Sequence, residues 1–329
     1  MLYFCTLFDS AYLSRGLALY TSLEEHCPSF HLYILPFDSH GQQVLEALSL
    51  PHATLISLTD FENEELLAVK GSRTRGEYCW TCTPSLLSYC LHTYSLEACT
   101  YLDADLLFFS DPGVLIQEMG KASVLITEHR YSPEYNQSVL CGIYCVQFMT
   151  FKRTPAGLHV LNWWKDACLD WCYRRFEDGK FGDQKYLDDW TTRFEGVHVL
   201  KHLGGGVAPW NNTRYDYLES NDQVWVRDSS VASPLVFYHF HDFRYCQEET
   251  FRLTNEEYRL RKEVIALVYK PYVKALQAAA QRIRQADPTA CFHEPPFSLD
   301  WLTTNAGRRV TFLLKGSYKN YHKHTRLWQ

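Results

Sequence analysis

"ACTYLDADLLFF" (residues 98–109) sets Asp103 and Asp105 one residue apart inside an otherwise apolar run. A run so rich in Leu, Phe and Tyr predicts a buried strand, and residues i and i+2 of a strand share a face. Two carboxylates on one face repel and push one pKa up, a conflict that a divalent cation between them removes. Hard oxygen ligands with room for phosphate and water suit Mg²⁺ or Mn²⁺. Ala104 between them is small enough to let a ligand approach the strand. The plainer reading is a solvated acidic turn, of the kind that Ser110, Asp111 and Pro112 suggest just downstream.

Upstream, "LYFCTLF" (2–8) ends at Asp9 and leads into "AYLSRGLALYTSLEEH", where Leu13, Leu17, Tyr20 and Leu23 recur at helical spacing. "FHLYILPFD" (30–38), "QQVLEALSL" (42–50) and "ATLISL" (53–58) repeat strand, helix and strand, the alternation of an α/β sheet covered by helices. Thr83 and Pro84 predict an N-cap and first-turn proline for a helix over 84–97. The carboxylates then lie at the C-terminal end of the next strand, where open α/β sheets bind ligands. Downstream, "SVLITEH" (123–129), "CGIYCVQFMTFK" (141–152), a tryptophan-rich helix from Pro155 to Arg175 and "LVFYHFHDF" (235–243) read as a second half on the same sheet. From Thr254 the chain reads helical, with Thr254 and Glu257 at capping-box spacing and Val264, Ile265, Val268, Tyr272 and Leu276 as an apolar stripe. Residues 246–329 are thus expected to form a helical extension on a domain of residues 1–245.

With 329 residues, 46% hydrophobic and 15% aromatic, the chain buries a large core and is not disordered. A net charge of -6 argues against nucleic acid as a partner. The basic, aromatic tail runs the other way: Arg308, Arg309, Lys315, Lys319, Lys323 and Arg326 interleave with Phe312, Tyr318, Tyr321 and Trp328. That pattern suits peripheral contact with an anionic lipid surface, or equally a tail packed on the extension. No run reaches the roughly 18 apolar residues of a membrane span, and the N-terminus has no basic leader, so a cytoplasmic setting at the inner membrane face is expected. Twelve scattered cysteines suit reduced thiols. "CWTC" (79–82) lacks a second ligand pair for zinc and reads as packing.

"YLDADLLFF" resembles the metal-binding DxD segment of GT-A glycosyltransferases, most closely those of glycosyltransferase family 8. "FCTLFDSAYLSRGLALYTSL" (4–23) is similar to that family's nucleotide-binding opening, "CGIYCVQF" to its central segment, "FGDQKYLDD" to its DQ motif, and "VFYHFHDF" to its metal-binding histidine strand. The resemblance runs in the same order over roughly residues 1 to 245. It implies a GT-A, Rossmann-like mixed sheet and transfer of a sugar from a nucleotide diphosphate sugar, a UDP-sugar, to a glycan or glycolipid acceptor with retention. By the same resemblance Asp103, Asp105 and His239 hold Mn²⁺ or Mg²⁺, with His241, on the same strand face, in reserve. Asp9 and Tyr12 hold the base and ribose, Thr6 and Ala104 line the donor, and Asp183 and Gln184 lie beneath the transferred sugar; a helix cap is the alternative for that last pair.

Two departures stand out. Cys145 occupies a position that is usually Asn, and the Lys-Pro-Trp that commonly follows the histidine strand is absent. Its phosphate-holding role is expected to pass to Arg244 or to Lys70, Arg73 and Arg75. "GGGVAPWN" (204–211) reads as a close backbone approach with Trp210 as a sugar-stacking platform, or as a turn. These departures leave open a non-catalytic nucleotide- or glycan-binding protein on a degenerate transferase fold.

Overall fold

The expected apolar runs become strands in order, in a computed structural model that describes residues 1–246, 250–290 and 320–323; the short strand Val197–Val199 and a three-stranded antiparallel sheet over residues 216–234 were not expected. The strands up to Val199 are β1 (Leu2–Phe8), β2 (Phe30–Pro36), β3 (Ala53–Leu55), β4 (Ala98–Leu102), β5 (Leu106–Phe108), β6 (Val124–Glu128), β7 (Tyr144–Lys152) and β8 (Val197–Val199). All but β5 join one seven-stranded sheet in the order β3-β2-β1-β4-β7-β6-β8. Only β7 runs against its neighbours, antiparallel to both β4 and β6, so the sheet is mixed. Its central strands are apolar on both faces because helices cover both.

One face packs α1 (Leu13–His26) and α2 (Ser39–Leu48), and the other α3 (Arg75–Thr93) and α4 (Pro155–Asp170). Val160, Leu161, Trp164 and Cys168 form the helical stripe that seats α4 against Leu86, Leu87 and Cys90 of α3. The C-terminal helix α5 (Lys270–Ala286) lays Tyr272, Val273, Leu276 and Ile283 into the same core as Leu13 and Leu17 of α1. Arg282 also donates to Thr21 Oγ1 at 3.1 Å.

Several boundaries differ from the sequence expectation. Helix α3 starts at Arg75, and its cap is Thr74: the Glu77 N–H reaches Thr74 Oγ1, and Glu77 Oε2 accepts the Thr74 N–H at 2.8 Å. Thr83 is interior and turns its hydroxyl onto the Cys79 carbonyl, while Pro84 sits mid-helix. Burial of Leu86, Leu87, Cys90 and Leu91 outweighs the one backbone bond that proline removes. Helix α4 ends at Asp170 because Arg73 donates to the Leu169 and Asp170 carbonyls. Thr254 caps nothing. It is fully buried, its hydroxyl goes to the His241 carbonyl, and the helix waits until Lys262, entering α5 through a π turn at Ile265–Tyr269.

Strand β9 (Phe237–His239) pairs antiparallel with β5. Beyond it, β10 (Arg244–Cys246), β11 (Thr250–Arg252) and β12 (Tyr321–Lys323) form a small antiparallel sheet, which returns the chain near its end to the segment just after His241. Lys323 and Tyr321 of the predicted basic tail belong to β12; Arg308, Arg309, Phe312, Lys315, Tyr318, Lys319, Arg326 and Trp328 lie outside the described residues.

The glycine triplet threads beside β9 without space for a side chain. A Cβ on Gly204 would lie 1.9 Å from the Pro234 carbonyl oxygen, and one on Gly205 2.6 Å from Leu200. The Gly204 carbonyl accepts from the Val236 and Phe237 N–H groups, so close approach and ladder pairing are one feature. Gly204→Ala should lower the unfolding free energy by about 1–3 kcal/mol. Gly71→Ala, with nothing within 4 Å of its Cβ, should stay within about 0.5 kcal/mol of the parent. Urea denaturation of the two variants checks the contrast.

Candidate metal centre

The strand expected over 98–109 is two strands. β4 stops at Leu102, and Asp103–Asp105 form a turn closed by the Leu106 N–H on the Asp103 carbonyl at 3.3 Å. The carboxylates therefore converge across a turn and not along one strand face. Both are fixed through the backbone: the Asp103 N–H donates to the Gln147 carbonyl on β7, and the Asp105 carbonyl accepts the Phe240 N–H, each at 3.0 Å. β5 leaves the main sheet to pair with β9, which sets His239 opposite Leu106 and beside Asp105. β9 ends at His239, so His241 lies in the following turn, where Asp242 has a φ of +60°, and the two histidines do not share a strand face.

One ligand atom from each of Asp103, Asp105 and His239 lies within 4.8 Å of the others. His239 Nε2 is 3.1 Å from Asp105 Oδ1 and 3.8 Å from Asp103 Oδ2. The His239 side chain is 7% exposed and that of Asp103 27%, so the cluster opens on the Asp103 side. Burial opposes charge on all three, and the pairing decides the rest. The His239 imidazolium and its hydrogen bond override burial at Asp105 and hold that carboxyl below its ordinary range. The two carboxylates likewise override burial at His239 and raise it well above the ordinary value. Asp103 receives less of the imidazolium, and burial with the Asp105 charge pushes it up. Two oxygen donors and one imidazole nitrogen in this state fit a divalent cation, which takes the place of the imidazolium proton and relieves the repulsion at Asp103.

His241 borders the cluster, its ring 5.8 Å from that of His239. Trp210 wedges edge-on against both imidazoles and donates Nε1–H to the His129 carbonyl at 2.9 Å. At 4% exposed it is a buried wall of the centre and not the open stacking platform expected. Cys145 is buried beside Trp210 on β7. Ala104 is buried within the turn.

Asp183 is buried close enough for the Asp103 charge to act on it, and Trp164 Nε1–H holds its carbonyl at 2.9 Å. Burial, then that charge, pushes its carboxyl up to about 8. Gln184 stands at the N-cap of the short helix that follows, but its side chain makes no capping bond and instead donates Nε2–H to the Cys141 carbonyl at 2.7 Å.

Just after β1, Asp9 has Oδ2 3.0 Å from Arg75 Nε, and its buried Oδ1 has no hydrogen-bond partner among the described residues. Tyr12 lies under the Arg15 guanidinium at 4.2 Å. Thr6 is fully buried within β1. The basic cluster separates: Lys70 pairs with Glu62 at 2.7 Å, Arg73 lies 3.8 Å over the Tyr173 ring, and only Arg75 joins Asp9, bridging it to Asp38. Arg244 reaches Asp242 Oδ1 at 3.4 Å, next to His241.

Three contributors escaped the sequence reading. Gln147 accepts the His239 Nδ1–H at 2.8 Å; its only signal was a single amide inside the apolar run "YCVQFMTF". Glu77 accepts the Arg174 N–H at 2.7 Å and so ties the segment leading to Asp183 onto the first turn of α3. Asp38 accepts from Ser10, Gly41 and Arg75. A second group of possible ligands, the thiols of Cys5, Cys90 and Cys99, meets in the core between sheet and α3; burial raises Cys5 and Cys90, while at Cys99 hydrogen bonds from those two thiols override burial and lower it. Cys82 and Cys79 lie within α3, both raised by burial, and all eleven described cysteines are free.

Because the folded Asp183 carboxyl keeps its proton up to about 8, above its ordinary value, the unfolded chain binds fewer protons through that window and stability falls as pH rises across it. Asp183→Asn should raise the melting temperature of chelator-treated protein at pH 8 and leave it nearly unchanged at pH 4. Thermal denaturation at the two pH values checks the sign.

No model of a known protein family matches the chain. It is 32% identical over 291 residues to the uncharacterised protein YfnD of Bacillus subtilis, covering 87% of this chain and 92% of that one. To YfnF of the same organism it is 31% identical over 293 residues, covering 87% and 95%. Among solved structures, the galactosyltransferase LgtC in complex with donor and acceptor sugar analogues superposes with a TM-score of 0.54 at 12% identity, covering 84% of this chain and 96% of that one. An active-site mutant of LgtC, with a glutamine replaced by glutamate, gives 0.52 at 10% identity, covering the same shares. The fold is therefore the α/β GT-A glycosyltransferase fold.

Proposed function

The chain belongs to the family of YfnD and YfnF, and on the fold it shares with LgtC we propose that it is a metal-dependent glycosyltransferase. The donor is a nucleotide diphosphate sugar, a UDP-sugar, and the acceptor a glycan or glycolipid. The observation that carries this reading is the convergence of Asp103, Asp105 and His239 at the C-terminal end of β4, open on one side. These three residues hold Mn²⁺ or Mg²⁺, which when bound supplies Lewis-acid stabilisation of a departing diphosphate. Asp9 and Tyr12, with Thr6 behind them, hold the base and ribose. Ala104 leaves the donor room to approach the turn. Arg75 and Arg244 offer guanidinium groups to the diphosphate, and Arg73 stays with the end of α4.

Asp183 and Gln184 lie beneath the transferred sugar and orient it. The anomeric carbon to diphosphate bond breaks, the acceptor oxygen bonds to the same face, and the acceptor proton passes to the departing oxygen. A protonated Asp183 suits this route, since it donates a hydrogen bond without serving as a base. The glutamine replaced in the active-site mutant of LgtC gives Gln184 a parallel in kind. Among the described residues no helix is long and apolar enough to cross a membrane, and the basic tail provides peripheral contact at the cytoplasmic face.

The Asp103→Asn and Asp105→Asn double variant should fold normally and lose more than about 100-fold in sugar transfer, because the ligand charge goes while core contacts stay. A screen of nucleotide sugars for transfer and hydrolysis with and without Mn²⁺ measures this. Full activity of the double variant would end the metal reading. Uridine diphosphate should raise the melting temperature of the parent only when Mn²⁺ is present, since the diphosphate otherwise meets the carboxylates unshielded. Stronger stabilisation by a guanosine or thymidine nucleotide would reassign the base.

A further inference from the structure

Among the described residues Gln147 alone hydrogen-bonds to two of the three clustered ligands: its backbone carbonyl accepts the Asp103 N–H at 3.0 Å, and its side-chain Oε1 faces His239 Nδ1 at 2.8 Å. It lies on β7 between the sheet centre and the turn, and is completely buried. Its own Nε2 has no acceptor among the described residues. A buried amide that leaves half of its hydrogen-bonding capacity unmet is a poor choice for core stability, where an apolar side chain of similar volume carries no such cost. Something other than packing accounts for the amide.

His239 presents Nε2 to both carboxylates, at 3.1 and 3.8 Å, so Nε2 is the nitrogen that faces a bound cation. An imidazole ligates through a nitrogen lone pair, and when Nε2 supplies it the proton must sit on Nδ1. Nδ1–H then needs an acceptor in a place from which water is excluded, and Gln147 Oε1 stands there. A carboxylate at this position would add a third negative charge to the pair, whereas an amide accepts the same hydrogen bond with none.

We propose that Gln147 is the positioning residue of the metal centre, fixing His239 as the Nδ1–H tautomer and tying the Asp103 turn to β7. This rests on the metal-dependent reading above. It distinguishes the side-chain role from the backbone one, since any residue at 147 supplies the carbonyl for Asp103.

The test is Mn²⁺ binding without donor, followed by electron paramagnetic resonance, for the parent, Gln147→Met and Gln147→Glu. Gln147→Met fills the same volume and removes the acceptor; it should weaken Mn²⁺ by about 10- to 100-fold. Gln147→Glu keeps the acceptor and should bind within about threefold of the parent, or more tightly. In Mg²⁺-loaded parent protein, nitrogen NMR of His239 should show Nδ1 protonated and Nε2 unprotonated, with mixed tautomers in Gln147→Met, a readout that general destabilisation does not give. Parent-like Mn²⁺ affinity in Gln147→Met, or equal weakening in Gln147→Glu with both variants folded, overturns the assignment. Absence of Mn²⁺ binding by the parent would instead overturn the reading on which it rests.

Discussion

Two carboxylates held in a three-residue turn against one buried imidazole set the terms for the structure around them. Left alone, the charges would drive the turn open or one carboxyl to protonation. They are kept together because each end of the turn is fixed by backbone hydrogen bonds from different strands, Asp103 from β7 and Asp105 from the segment after β9. Pairing of β5 with β9 brings His239 to the same place, and β9 in turn lies against the glycine triplet, which admits no side chain. Trp210, carried at the end of that triplet, closes the wall behind both imidazoles. The charge cluster, the break in the strand and the triplet are thus one mechanical unit.

Around Asp9 charge is held differently. Arg75 bridges Asp9 and Asp38 at the surface, where ion pairs contribute little to stability and exchange partners readily. Arg73 completes the end of α4 and stacks on Tyr173, and its loss would be felt as packing and capping. Residues close in sequence and alike in charge therefore have separate roles, set by which helix end each one meets.

Asp183 joins the site to the core through another route. Glu77 satisfies the cap of α3 and also the backbone at Arg174, so the first turn of α3 anchors the segment that delivers Asp183. Trp164, itself seated in the stripe of α4, holds the Asp183 carbonyl. The carboxyl arrives buried near Asp103, and burial and that charge together push its pKa up.

Most of the order of strands and helices, and the acidic pair and histidine that converge, were legible in the chain because each is local: apolar period, charge spacing and short motifs act over a few residues. The helix boundaries at Arg75 and Lys262 were not, since burial of Leu86 to Leu91 carries α3 through Pro84 and a tertiary hydrogen bond draws Thr254 to His241. Nor did strand periodicity reveal how the carboxylates meet, because the sheet register of β7 and β9 bends the run at Asp103. Which arginine meets Asp9, the burial of Trp210 and the link from Gln147 to His239 depend on groups far apart in the chain. Local sequence determined what chemistry is present; only packing, by fixing distances between remote side chains and removing water from between them, decided which residues act on which.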